Sequence, residues 1–310
     1  MRLTKRLRSL LLLTFAALSL APRVAAQEGA RPTTSPYGAT PSAWTRYTYP
    51  GEEFSVELPS APAVSRLERN IPDTTDKTEQ GRAFGLYSNG VVFIVTSYDR
   101  PRESETLDHF ANLLWGGRVG LTAAGDVSLG GFPGRAYNLS DHPLKGVARV
   151  FRTQKHAYLL KAFSDEEGHG PTFERFVNSF TLGDGPAGKS MADESPARHD
   201  GAQLVPRASP TAGDGPYRSA ELTRKTLIVF KPEPGYTERA RMKNTSGVVR
   251  LRAVLNSSGT VTNISVVKDL PDGLTEMAVS AARRILFFPA VKDGRRVSQH
   301  VVLEYNFNLY

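Results

Sequence analysis

The sequence predicts an α+β chain built in two blocks, and three observations predict it. Short period-two apolar runs between turn residues read as antiparallel strands. Three amphipathic stretches read as helices, and a segment poor in large apolar residues parts the blocks. At 310 residues, with roughly 100–200 per domain, two or three domains are expected. A composition of 40% hydrophobic and 9% aromatic residues excludes a disordered or collagen-like chain. Cysteine is absent, which excludes disulfides, thiol nucleophiles, iron–sulfur clusters and thiolate zinc sites.

The chain opens like a secretory signal peptide. Arg2 to Arg8 is the basic start, Leu10 to Ala21 the apolar run, and Val24-Ala25-Ala26 a small-residue cleavage site before Gln27. A retained anchor is the alternative, but Pro22 and Arg23 interrupt the run well short of the ~20 residues that span a bilayer. Export to the periplasm with cleavage after Ala26, and no stable membrane insertion afterwards, is the expectation. Residues 27–43, rich in Pro, Thr, Ser and Ala, read as a tether.

In the first block, 44–183, Phe54 to Leu58 alternates apolar and polar residues. Asn89-Gly90 between Arg82–Ser88 and Val91–Tyr98 is a hairpin signal. Thr106 to Leu114 reads as a helix with Leu107, Phe110, Leu113 and Leu114 on one side, and Phe173, Phe176, Val177 and Phe180 mark a second. Between them Val127–Leu129, Gly134–Leu139, Val147–Thr153 and Ala157–Phe163 read as strands. Strands, helix, strands, helix implies an antiparallel sheet with helices packed on it. Residues 184–221 hold five Gly and five Pro, with Tyr217 the only aromatic. They read as a flexible linker that leaves little to pack between the blocks.

The second block, 222–310, carries its own strand, hairpin and helix signals. Val249, Leu251, Ala253 and Leu255 alternate with Val248, Arg250, Arg252 and Val254. Asn256 to Gly259 then turns the chain into Thr260–Val267. Asp272 is positioned to cap a helix with Leu274, Met277, Ala278, Ala281 and Ile285 on one stripe, and Pro289 follows its end. After Asp293-Gly294, Val301, Leu303, Tyr305, Phe307 and Leu309 alternate with Val302, Glu304, Asn306 and Asn308, which reads as a long closing strand. Charge is uneven: the first block and the linker each sum to −2, the second block to +7. Five of the eight excess positive charges lie in residues 1–26, so nucleic-acid binding is not indicated by the total.

Two resemblances follow. Phe54-Ser55-Val56 ahead of Leu58-Pro59, with Gly131-Phe132-Pro133-Gly134-Arg135 later, resembles the PsbP-like α/β/α sandwich of exported bacterial proteins. That resemblance implies a fold and a binding role, not a reaction. In the second block Gly247-Val248-Val249, the hairpin Asn256 to Val261, Ala281-Ala282-Arg283-Arg284 before Phe287-Phe288-Pro289-Ala290, and Asp293-Gly294-Arg295-Arg296-Val297 before a long closing strand closely resemble the carboxy-terminal domain of the TonB family. The family's Tyr-Pro near the start stands here as Tyr236-Thr237, and its uncleaved anchor and long Pro-rich spacer are not seen. The resemblance implies a small α+β recognition module whose closing strand accepts an extended segment of an outer-membrane receptor or other envelope protein. That makes Val301, Val302, Leu303, Glu304, Tyr305, Asn306 and Phe307 the candidate partner-binding residues, a purely structural strand being the plainer alternative.

No catalytic, cofactor or metal residue is proposed from the sequence. His109, His142, His156, His169, His199 and His300 show no ligand spacing. Gly130 to Gly134 lacks the spacing and following helix of a phosphate loop. Asp165-Glu166-Glu167 reads as a solvated acidic turn. Ser190 has no elbow motif around it. The expectation is a non-enzymatic envelope protein. The alternative is an envelope enzyme or ligand-binding protein with its site in the first block and the second as a docking module.

Overall fold

The computed structural model describes residues 43–70, 78–99, 106–108, 110–111, 120–141, 143–183, 188–190 and 215–308. The expected signal peptide, the tether up to residue 42, most of the linker, part of the helix at 106–114, and Leu309 lie outside the described residues.

The first block is organised by an antiparallel sheet of seven strands. Its members are β3 (Ala63–Asn70), β4 (Thr78–Ser88), β5 (Val91–Asp99), β6 (Leu121–Leu129), β7 (Phe132–Asp141), β8 (Leu144–Arg152) and β9 (His156–Ser164), in the order β3-β4-β5-β9-β8-β7-β6. The expected hairpin is present: Asn89 and Gly90 both adopt positive φ, 48° and 81°, as the tight two-residue turn requires. The four later strand expectations also correspond to β6 to β9, each longer than its apolar core suggests. At the centre, every residue of β9 is buried, which requires cover on both faces.

One face is covered by β1 (Thr45–Thr48), β2 (Phe54–Leu58), α1 (Gly170–Ser179) and the short β10 (Thr181–Leu182), which pairs with β2. Phe173, Phe176 and Val177 of α1, then Phe180, meet Phe93, Val95, Phe151, Tyr158 and Leu160 of the sheet. These helix positions are three and four apart and form one stripe. The other face is shared. Phe110 and Ala111, helical in the described part of the expected helix, cover Tyr137, Ala148, Val150 and Leu159. The second block covers the rest.

That second block contains β12 (Leu227–Phe230), α2 (Glu238–Met242), β13 (Gly247–Leu255), β14 (Val261–Lys268), α3 (Leu274–Ala282), β15 (Leu286–Phe288), β16 (Ala290–Lys292), β17 (Arg295–Val297) and β18 (Gln299–Phe307). Its own core joins Val249, Leu251, Ala253, Leu274, Ala278, Ala281, Phe287, Leu303, Tyr305 and Phe307. The expected cap on α3 is not formed by Asp272. Gly273 is the cap residue, at φ 84°, with no side-chain cap hydrogen bond. Asp272 itself sits at φ 61° and turns its carboxylate to Lys243 and Thr245, so a left-handed turn replaces the side-chain cap.

The linker composition predicts little contact between the blocks, and here the structure differs. The chain from Ala39 to Tyr310 is one compact unit. Leu286 and Phe288 of β15, with Leu227, Val229 and Phe230 of β12, pack on Val92, Ile94, Leu139, Leu144 and Phe163 of the large sheet. Gly85 of β4 makes room: a Cβ there would lie 2.6 Å from Leu286 Cδ1. Around this apolar seam Asp165, 1% exposed, binds Arg296 at 2.9 Å and also Arg224. Arg296 further reaches Glu166 at 2.6 Å and Tyr87 OH, and Arg284 Nε donates to Ser65 Oγ at 3.1 Å. Of the acidic turn read as solvated, Glu166 and Glu167 are exposed as expected, whereas Asp165 is half of a buried latch. The described ends of the linker are structured too. The two-residue strand β11 (Lys189–Ser190) pairs parallel to β1, and Tyr217 bridges Gln299.

Candidate partner-binding edge

The second block's main sheet has the order β14-β13-β18, which leaves β18 at one edge. β18 pairs with β13 over nine consecutive residue pairs, Gln299 to Leu255 through Phe307 to Gly247, without a register shift. Its side chains alternate as the sequence predicts. Leu303, Tyr305 and Phe307 are buried and Val301 half-buried, whereas His300, Val302, Glu304 and Asn306 are exposed.

Backbone direction follows from one contact. His300 N–H donates outward to Tyr217 C=O at 3.0 Å, while Tyr217 N–H donates to Ser298 C=O at 2.9 Å. In an antiparallel strand the N–H and C=O of one residue point the same way and alternate along the chain. The outward rungs beyond His300 are therefore Val302, Glu304 and Asn306. The remaining candidates, Val301, Leu303, Tyr305 and Phe307, spend their backbone on β13 and their side chains on the core. The seven candidate residues thus lie together on one strand, but only three of them face outward.

The opposite edge is of a different kind. β14 meets β13 with two register shifts, and Asn263 within it has φ 51°. Such bulges bend an edge and interrupt its ladder. An open cleft lined by Val266, Val267, Leu270, Pro271 and Glu276 lies beside it. The straight, regular edge is β18.

The solvent face beside this edge is basic. Arg250 and Arg252 on β13 are exposed, and Lys268 pairs with Arg250 across the strands. Glu304 is held by Arg250 Nε at 2.7 Å. The segment from Thr226 to Tyr236 runs along β18, and three of its residues, Thr226, Lys231 and Tyr236, touch it. Thr226 N–H donates to Gln299 Oε1 at 2.7 Å, Lys231 Nζ donates to Glu304 C=O at 2.5 Å, and the Tyr236 ring meets Phe307 edge-on. Burial, with Glu233 nearby, pushes the Tyr305 phenol well above its ordinary pKa, against an opposing pull from Arg284.

A second concentration of charge braces the first block. Glu52, fully buried, accepts from Arg82 at 2.6 Å, Ser97 at 2.7 Å and Tyr158 OH at 3.1 Å. Glu53 accepts from Thr153 Oγ1 at 2.6 Å and contacts His156 Nδ1 at 3.2 Å. These carboxylates pin the turn between β1 and β2 to β4, to β5 and to the start of β9. Among the described residues no group of three or more His, Asp or Glu is arranged to hold a metal ion.

Sequence reasoning missed Lys231, Tyr217 and Gln299 at the edge. The available signal was Lys231-Pro232-Glu233-Pro234, a stretch whose prolines cannot donate to a ladder and so can only flank one.

Comparison with known proteins bears on the second block. Residues 232–309 match the family model described as the Gram-negative bacterial TonB protein C-terminal. The solution structure of the Helicobacter pylori TonB C-terminal domain matches at 23% identity, over 25% of this chain and 72% of that one, with a TM-score of 0.19. No curated protein matches. The family model begins at residue 232 and does not reach the seven-stranded block.

Proposed function

We propose that this chain is a periplasmic protein-binding module that takes up an extended segment of an outer-membrane or other envelope protein as a strand added to β18. The observation that carries the reading is the outward row of backbone groups at Val302, Glu304 and Asn306, on a strand whose other side is paired without a break. Main-chain hydrogen bonds from such an edge supply affinity to an extended peptide, and neighbouring side chains supply selectivity. The match of residues 232–309 to the TonB C-terminal model supports an envelope protein-interacting role. The basic face of Arg250, Arg252 and Lys268 favours acidic segments.

On this reading the chain acts by binding and carries out no reaction of its own. Residues 1–26 are removed on export, and the mature chain works without a membrane anchor. The first block is a PsbP-like sandwich whose sheet carries the module; its antiparallel order and cover on both faces support that assignment.

The test is an amide NMR titration of the chain with acidic, receptor-derived extended peptides. Shifts should concentrate at Val302, Glu304 and Asn306. Asn306→Pro removes an outward donor and should weaken binding about three- to tenfold. Unchanged affinity in that variant, or shifts confined to β14, would overturn the reading.

A further inference from the structure

Four buried polar side-chain atoms among the described residues make no hydrogen bond: Arg224 Nε, Thr226 Oγ1, Tyr236 OH and Tyr305 OH. Three of them, Thr226 Oγ1, Tyr236 OH and Tyr305 OH, lie on the segment from Thr226 to Tyr236 or on β18 beside it, whereas Arg224 belongs to the seam with Asp165. Buried polar groups are nearly always paired, so a concentration of orphans marks a contact that is not in its most satisfied arrangement. The segment lies along the strand without pairing to it as a strand. Its contacts with β18 are made through the Gln299 side chain, the Lys231 side chain and the Tyr236 ring, and Pro232 and Pro234 have no N–H to give.

Within this segment Lys231 holds the decisive position. Its ammonium donates to the carbonyl of Glu304, the middle outward rung, and sits 4.4 Å from the centre of the Tyr305 ring. No carboxylate among the described residues pairs with it: the Glu304 side chain is engaged by Arg250. A carbonyl dipole and a ring face hold an exposed cation more weakly than a carboxylate does. A lysine on a strand edge is also a recognised means of stopping indiscriminate edge pairing.

We infer, resting on the strand-addition reading, that Lys231 is a specificity-determining guard on the β18 edge. It occupies the Glu304 acceptor until an incoming strand offers a carboxylate near that rung, to which the ammonium transfers while the partner's N–H takes the carbonyl. A neutral strand must displace the lysine without compensation. The edge therefore selects extended segments with an Asp or Glu placed opposite Glu304, and one defined lysine adds to the diffuse attraction of the basic face.

The experiment measures binding of two fluorescent ten-residue β-prone peptides, alike except for a central Asp or Asn, to the full chain and its variants. Wild type should prefer the Asp peptide by about fivefold, the range of one exposed ion pair. Lys231→Met should lose most of that preference, keeping only the small part that the basic face supplies, and hold the Asn peptide more tightly than wild type does. Lys231→Arg should restore the preference. If wild type binds both peptides alike, or Lys231→Met keeps the preference undiminished, the guard is overturned while strand addition stands. If neither peptide binds any form, strand addition falls and the guard with it.

Discussion

Glu53 shows how a single carboxylate ties stability to pH. Partial burial raises its pKa, but hydrogen bonds from Thr153 and His156 and the charges of His156 and Lys155 outweigh this and hold it below its ordinary 4.5. A depressed carboxylate contributes stability that is fully present above its unfolded pKa and is lost as pH falls through the folded one. Thermal unfolding followed from about pH 6 to pH 3 should therefore show an acid limb that Glu53→Gln makes shallower, with a small effect because the side chain is 24% exposed. None of this was legible in the sequence. Nothing in the residues next to Glu52 and Glu53 names their partners, and only the fold brings Arg82, Ser97 and His156 against them. The acidic turn at Asp165 failed in the same way: its partners Arg224 and Arg296 are 59 and 131 positions further on.

At the scale of elements, what the sequence showed depended on whether the signal was local. The Asn89-Gly90 hairpin and the alternation of β18 are written in neighbouring residues and were legible. The cap of α3 was not, because Asp272 found Lys243 and Thr245 instead of the helix amides. Gly273 instead supplies the left-handed entry turn, with Leu274 N–H donating to Pro271 C=O. At φ 84°, with Thr237 Cγ2 3.2 Å from where a Cβ would stand, Gly273→Ala should destabilise the chain by about 1–2 kcal/mol, read as a lower denaturation midpoint with an unchanged m-value. The triplet Leu286-Phe287-Phe288 held more information than its length suggests. Three consecutive apolar residues on a short strand imply burial on both faces. Phe287 serves the module's own core, while Leu286 and Phe288 serve the seam.

For the whole molecule, the seam decides how the chain must be handled. A module cut out at residue 222 would carry Leu227, Val229, Phe230, Leu286 and Phe288 on an uncovered flank, an apolar patch of the kind that drives association. Calorimetry of the intact chain should accordingly give one transition spanning both blocks. Asp165→Asn should lower its stability by about 3 kcal/mol, because it leaves the nearly buried Arg296 without its closest fully buried counter-charge. Two separate transitions in the wild type would show that the seam does not couple the blocks. The notch at Gly85 and the Leu286 side chain that fills it, 201 positions apart in the chain, also form a matched pair that recombination can break. A TonB-like module shuffled onto another carrier keeps its edge strand but loses its socket. Descent of this protein is then expected to preserve the two blocks together, with any enlargement at position 85 answered by a smaller residue at position 286.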